Sequence, residues 1–305
     1  MKPNYDIIQD ENIDQDNVIS SSNQPPLVGV AENEYVRQPN DPVIINDPSP
    51  VIVLFGSGAS GKTMTLIRLT KYLIAQGYKV KPERTFCDAR DKHYQRMCDN
   101  FMSIVGSTKA PGRNQVIDFM LVKVEDAYGR PICQLLEAPG EHYFDPKYPT
   151  RDFPTYLATI TVRPNRKTWV IIVEKDWMNQ EDRNHYAEKI VKLQENHINP
   201  KDKVIFTCHK VDKHFVGWQQ ANVRQLLKDI WNDTTRTGQY PNIFSQFKNT
   251  NIITKLWRKY DFDFVPFSAG LFTDDGNGGQ NYIQGDDKYP IMLWKSIMKT
   301  IKGGW

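Results

Sequence analysis

Cysteine is scarce: the 305 residues hold four, Cys87, Cys98, Cys133 and Cys208, with no CxxC pair among them. Thiols spaced this widely argue against a disulfide framework or a zinc site. They suit the reducing interior of a cell, so a cytoplasmic protein is expected. Long apolar runs are missing too. The longest, such as Trp169–Val173, reach five residues, whereas a membrane-crossing helix needs about 20, so no membrane span is expected. The opening stretch MKPNYDIIQDENIDQD has no apolar core of a secretory leader. Lys2 stands where N-myristoylation needs glycine, and Ile301-Lys302-Gly303-Gly304-Trp305 lacks the cysteine of a prenylation box. No internal repeat is evident. No dense Lys/Arg block interleaved with aromatics marks a clear nucleic-acid site.

What is present suffices for a core: 39% of residues are hydrophobic and 11% aromatic. The net charge of +3 conceals an asymmetry, because residues 1–50 carry −7 and the remainder +10. The first segment is polar, acidic and proline-rich, with Pro25, Pro26, Pro39, Pro42, Pro48 and Pro50, and shows no sustained periodicity. Residues 1–48 therefore read as a disordered acidic arm, within which Val43-Ile44-Ile45 is a candidate for docking as an added strand. Residues 49–305 form the body.

The body alternates strand and helix signals. Val51–Phe55 is an apolar run ending at glycine, as a buried parallel strand does. Lys62–Gln76 places Leu66, Leu69 and Leu73 on one helical face and stops at Gly77. A helix is expected near Asp91–Val105. Val116–Glu125 and Pro131–Glu137 flank the turn 126–130 as a hairpin. Trp169–Val173, Val204–Cys208 and Phe264–Ser268 are further strands. Asp182–His197 and the stripe Val223, Leu226, Leu227, Ile230, Trp231 are helical. Pro290 opens a terminal helix carrying Trp294, Ile297, Met298 and Ile301 toward the core. This order implies an α/β fold, a three-layer sandwich around a mostly parallel sheet with one antiparallel edge strand.

The strongest motif is Gly56-Ser57-Gly58-Ala59-Ser60-Gly61-Lys62-Thr63, which matches G-x-x-x-x-G-K-[ST] between a buried strand and an amphipathic helix. Glycines let backbone N–H groups turn inward onto phosphate oxygens, and the helix N-terminus adds positive potential. Lys62 is placed to reach the β- and γ-phosphates, and the Thr63 hydroxyl to ligate Mg²⁺. This motif alone does not separate GTPases from ATPases or small-molecule kinases.

Three later stretches resemble, in order, the remaining motifs of Ras-like, TRAFAC-class P-loop GTPases, of the bacterial type with an extended switch I. Glu137-Ala138-Pro139-Gly140 resembles D-x-x-G, with glutamate for the aspartate that holds Mg²⁺. His209-Lys210-Val211-Asp212 resembles [NT]-K-x-D, in which the aspartate accepts two hydrogen bonds from guanine and the lysine stem covers the base. Ser268-Ala269-Gly270 resembles S-A-K, whose backbone meets the guanine oxygen. For the switch I threonine the resemblance offers Thr108, with Thr85 as the alternative. Glu141 stands where the family places its water-orienting glutamine, which implies slow hydrolysis. Relative to a minimal member, insertions fall near 78–107, 235–262 and 273–288.

The resemblance thus implies a GTP/GDP-binding, Mg²⁺-dependent switch with Lys62, Thr108 and Glu141 in the chemistry. Thr63, Thr108 and Glu137 would serve the metal, and an effector or regulatory protein would be its partner. Two rivals stand beside it: a pseudo-GTPase scaffold, and an ATPase or small-molecule kinase using only the phosphate loop.

Overall fold

A computed structural model describes residues 43–107, 119–174, 177, 179–211, 243–249, 260–274 and 280–303. Seven strands form one sheet: β1 (Val51–Phe55), β2 (Lys79–Pro82), β3 (Met120–Glu125), β4 (Pro131–Glu137), β5 (Lys167–Val173), β6 (Lys203–Cys208) and β7 (Phe262–Pro266). Their order across the sheet is β2-β3-β4-β1-β5-β6-β7. Strands β4, β1, β5, β6 and β7 pair in parallel, while β3 runs antiparallel to both β4 and β2. The sheet is mostly parallel, as expected. The one opposed strand lies a position in from the edge, because the short β2 adds outside it.

Every residue of β1 and of β5 is buried. Central parallel strands are covered on both faces, which is why these two read as continuous apolar runs rather than as an alternation. One helical layer holds α1 (Lys62–Ala75), α2 (Lys92–Gly106) and α7 (Lys288–Ile301), with α1 touching both others. Leu66, Leu69 and Leu73 are the buried face of α1. A second layer holds α5 (Gln180–Asn196) and the short α6 (Ile243–Gln246), which touch each other. Tyr186 of α5 donates its hydroxyl to the Ile172 carbonyl at 2.7 Å, seating that helix on β5. Two short helices, α3 (Gly140–Tyr143) and α4 (Thr155–Val162), follow β4.

Local chemistry sets the helix starts. The Asp91 side chain accepts from the Tyr94 amide at 2.8 Å, and Asn179 from that of Asp182 at 2.7 Å, each satisfying an orphan donor of a first turn. Helix α7 begins at Lys288, so Pro290 occupies its third position and not its first. Proline is tolerated there because amides of a first turn have no intrahelical acceptor. Strand β7 starts two residues before the expected Phe264 and ends at Pro266, leaving Phe267 and Ser268 as a loop. A second sheet, the hairpin β8 (Gly270–Asp274) and β9 (Gln280–Gln284), occupies much of the 273–288 insertion. The expected helix over 223–231 lies outside the described residues.

The end of the acidic segment packs on the body. Val43 and Ile45 are buried, and the Ile44 amide donates to the Phe86 carbonyl at 2.9 Å. Among the described residues this is the one backbone bond of the piece, and the added strand expected of it does not form. Asp47 pairs with Lys123 at 2.9 Å. The Gln134 and Asn165 amides each donate to the carbonyls of Asp47 and Ser49. These bonds aim the chain into β1 and hold residues 43–49 on the body. Residues 1–42 lie outside the description.

Candidate functional site: the phosphate loop and its neighbours

The loop between β1 and α1 sits at the C-terminal ends of the parallel strands, where α/β sheets open a crevice. Gly61 precedes α1 with φ 94°, and Ala59 has φ 56°. Both are left-handed conformations, easy for glycine and uncommon for alanine. Lys62 folds over its own loop, donating through Nζ to the carbonyls of Gly56 at 3.1 Å and Ser57 at 2.8 Å. It is 5% exposed. Burial pushes the ammonium's pKa below its ordinary value, opposed by the nearby charges of Glu137, Glu141 and Glu174.

Parallel pairing sets Leu54 of β1 beside Glu137 of β4. That register carries Glu137 to the start of α1, where its carboxylate accepts a hydrogen bond from the Thr63 hydroxyl. Glu137 is 1% exposed. A buried carboxylate touching a hydroxyl is a pair of hard oxygen donors, which suits Mg²⁺.

Beyond Glu137 the chain turns directly onto the loop. A Cβ added to Gly140 would stand under 3.0 Å from the backbone of Ser57 and Gly58. Only glycine allows this approach. The next side chain, Glu141, lies over Gly58, with Oε1 2.8 Å from the place a Cβ would take there.

The other wall comes from the ends of β5, β6 and β7. The His209 amide donates to the Val173 carbonyl at 3.2 Å, and the Phe267 amide to that of Cys208 at 2.8 Å. His209 is buried. Its ring stacks on Phe267 at 5.2 Å with 25° between planes, and its Nδ1 is 3.0 Å from where a Gly61 Cβ would be. Burial, aided by the charges of Lys210 and Lys62, pushes the imidazole pKa down to about 3. It is therefore a neutral brace under the loop. Lys210, with φ 56°, reaches back to the Ala59 carbonyl at 3.4 Å and forms an ion pair with Glu174. Ser268 is buried and accepts from the Gly270 amide at 3.3 Å. The Ala269 carbonyl accepts from the Tyr282 hydroxyl at 2.6 Å and from the Gly285 amide at 3.1 Å.

Of the residues expected at the site, 56–63, Glu137, Gly140, Glu141, Lys210, Ser268 and Ala269 are described; contacts join 56–63 to Glu137, Gly140, Glu141 and Lys210, whereas those of Ser268 and Ala269 run to Gly270, Tyr282 and Gly285. Thr108 and Asp212 lie outside the described residues. The alternative Thr85 is exposed and bonds Glu83 within its own turn, hydroxyl to carboxylate at 2.7 Å. Sequence reasoning missed Glu174. Its signal is a charged residue directly after the apolar run Trp169–Val173.

No protein-family model matches this sequence, and no curated protein does. Similar solved structures include a putative nucleolar GTP-binding protein 1 from Plasmodium falciparum. It has a TM-score of 0.38 and 11% identity over 86% of this chain and 91% of that one. Another is the GTPase-like domain of S. cerevisiae Ski7 bound to GTP, with a TM-score of 0.34 and 16% identity over 82% of this chain. The match covers 50% of that second chain. Both are distant likenesses.

Proposed function

We propose that the chain binds guanine nucleotide with Mg²⁺ at residues 56–63 and hydrolyses GTP slowly, as a switch read by an effector or regulatory protein. The observation that carries this is the meeting of two loops. Thr63 touches Glu137, and Gly140 lies on the backbone of Ser57 and Gly58. A γ-phosphate bound by the first loop would therefore press on the second.

In this reading the inward N–H groups of 56–63 and the ammonium of Lys62 bind the phosphates and stabilise charge as the terminal bond breaks. Thr63 and Glu137 would hold Mg²⁺, with Thr108 as a further candidate. Bound there, the ion supplies charge neutralisation to the phosphate oxygens. Glu141, beside Gly58, stands over the terminal-phosphate position and orients the attacking water. Lys210 and Asp212 form the base end, Asp212 by sequence position. Ser268 and Ala269 close it from the β7 side. Adenine offers no donor pair to a carboxylate at 212, and an unanswered buried charge costs several kcal/mol, on the order of 3–5.

The pseudo-GTPase reading keeps the same site and draws on one observation, the carboxylate of Glu141 beside Gly58, which would repel a triphosphate. Extraction and chromatography of the nucleotide that co-purifies with the full chain is the first test, followed by competition between GTP and ATP. Stoichiometric GDP or GTP displaced only by guanine nucleotides supports the reading. Equal competition by ATP overturns the base assignment, and no bound nucleotide in any condition overturns the site. Turnover at saturating Mg²⁺ then separates a slow GTPase from a scaffold.

A further inference from the structure

We propose that Glu174 is a positioning residue that sets how long nucleotide stays bound, by holding Lys210 against the phosphate loop. The proposal rests on the nucleotide-binding reading above. Among the described residues, Ala59 and Lys210 are the two non-glycine residues with a left-handed backbone, both at φ 56°. They touch: Lys210 Nζ donates to the Ala59 carbonyl at 3.4 Å. Uncommon backbone conformations persist where the surroundings over-determine them, and they gather where ligands are clamped. Here two are joined by one side chain.

Glu174 is what fixes that side chain. It follows the last residue of β5 and pairs with Lys210, the two side chains being 8% and 34% exposed. The carboxylate is thus nearly enclosed while the ammonium has a route to water. Without Glu174, nothing described holds the Lys210 head at Ala59 except a long bond to a carbonyl. The residue before Lys210 grips the same turn, since His209 packs under Gly61. Residues 209 and 210 therefore hold 59–61 from two sides, and Glu174 anchors the outer grip from a third strand. Loosening it frees the Ala59–Gly61 turn, which belongs to the phosphate loop of the proposed site, and opens the lysine stem that would wall the base.

The test is the release rate of a fluorescent N-methylanthraniloyl-GDP from the full chain in Mg²⁺, chased with excess GDP. Losing a charge-assisted hydrogen bond leads to release of the order of tenfold faster for Glu174→Ala. Glu174→Gln keeps an acceptor oxygen and falls between, at roughly threefold. In a Lys210→Met background both substitutions should add nothing, because the group they act through is gone. A folded Glu174→Ala protein that releases within twofold of wild type overturns the proposal. So does an effect of undiminished size in the Lys210→Met background, which would mark Glu174 as a structural charge only. If the alanine variant does not fold, the near-isosteric glutamine variant decides, and wild-type release from it overturns the proposal. Tight wild-type binding with unaffected release overturns this proposal alone, whereas a wild-type chain that binds no nucleotide overturns it together with the reading beneath it.

Discussion

Gly140 lies against the backbone of Gly58 so closely that a Cβ there would come within 3.0 Å of the Gly58 amide nitrogen. The obstacle is main chain, which cannot rotate aside as a side chain can. Gly140→Ala should therefore separate the turn after β4 from the phosphate loop. Overpacking of this kind costs about 1–3 kcal/mol. We expect a lower melting temperature and weaker nucleotide binding together, read by thermal unfolding and calorimetric titration. Wild-type values for both would mean that the turn retreats freely.

Lys62→Ala should weaken triphosphate binding by at least two orders of magnitude, since charge-assisted hydrogen bonds contribute about 1.5–3 kcal/mol each and this residue is placed to make several. Loss of the ammonium also removes a positive charge that lies near Glu137, Glu141 and Glu174. Stability of the ligand-free protein should change little. The cost of burying the ion disappears along with its two bonds to Gly56 and Ser57. Titration of a folded variant with unchanged affinity would remove Lys62 from the phosphate site.

His209 predicts the shape of the acid limb of stability. The folded imidazole is held down to about 3, against about 6.5 in the unfolded chain. Between those values the unfolded state binds a proton that the folded state refuses. The stabilisation is complete above the unfolded value and is lost as pH falls through the window, with a slope of up to about 1.4 kcal/mol per pH unit. Urea unfolding of wild type and His209→Asn at pH 7, 6 and 5 tests it. The variant should start less stable, lacking the contact with Phe267, and lose stability less steeply. His197, shifted down by burial, acts in the same direction but is present in both proteins. Parallel limbs would show that His209 is not the group responsible.

Glu141→Gln should leave GTP hydrolysis unchanged or raise it up to about tenfold. A charge about 5 Å from a phosphate at an effective dielectric near 20 costs on the order of 3 kcal/mol, and Lys62 together with Mg²⁺ reduces that. Glutamine can still accept from and donate to a water. Single-turnover rates at saturating Mg²⁺ decide the matter. A tenfold loss would instead make Glu141 a proton acceptor or part of a required ion pair.

The features legible in the sequence were those fixed by short stretches of chain. Val51–Phe55 forms a strand at the residues its apolar run spans, and Lys62 opens α1 where the glycine motif ends. Glu137 was legible only through its resemblance to D-x-x-G; the parallel pairing of β4 with β1 that carries it to the loop is a finding of the structure. What could not be read depends on partners far away in the chain. Strand β2 is the four residues Lys-Val-Lys-Pro, too short and polar to carry a periodic signal. The β8–β9 hairpin overlaps a stretch read from the sequence only as an insertion near 273–288. It is tied down by buried Arg68 on α1, which donates to the Gly285 carbonyl at 2.8 Å and pairs with Asp287. The grip of Glu174 on Lys210 likewise spans 36 residues, so the local sequence shows the charge after its apolar run but not its partner.

The outermost position of β2 bears on how the protein behaves among copies of itself. An open sheet edge invites another strand to add, the first step of edge-to-edge aggregation. This edge offers little to a newcomer. It is four residues long, Lys79 and Lys81 are exposed, and Pro82 has no amide hydrogen to give. A second β2 approaching it would bring like charges together and find one donor missing. The composition that hid this strand from a sequence reading is the same composition that makes this edge, the outermost among the described strands, a poor template for a further one.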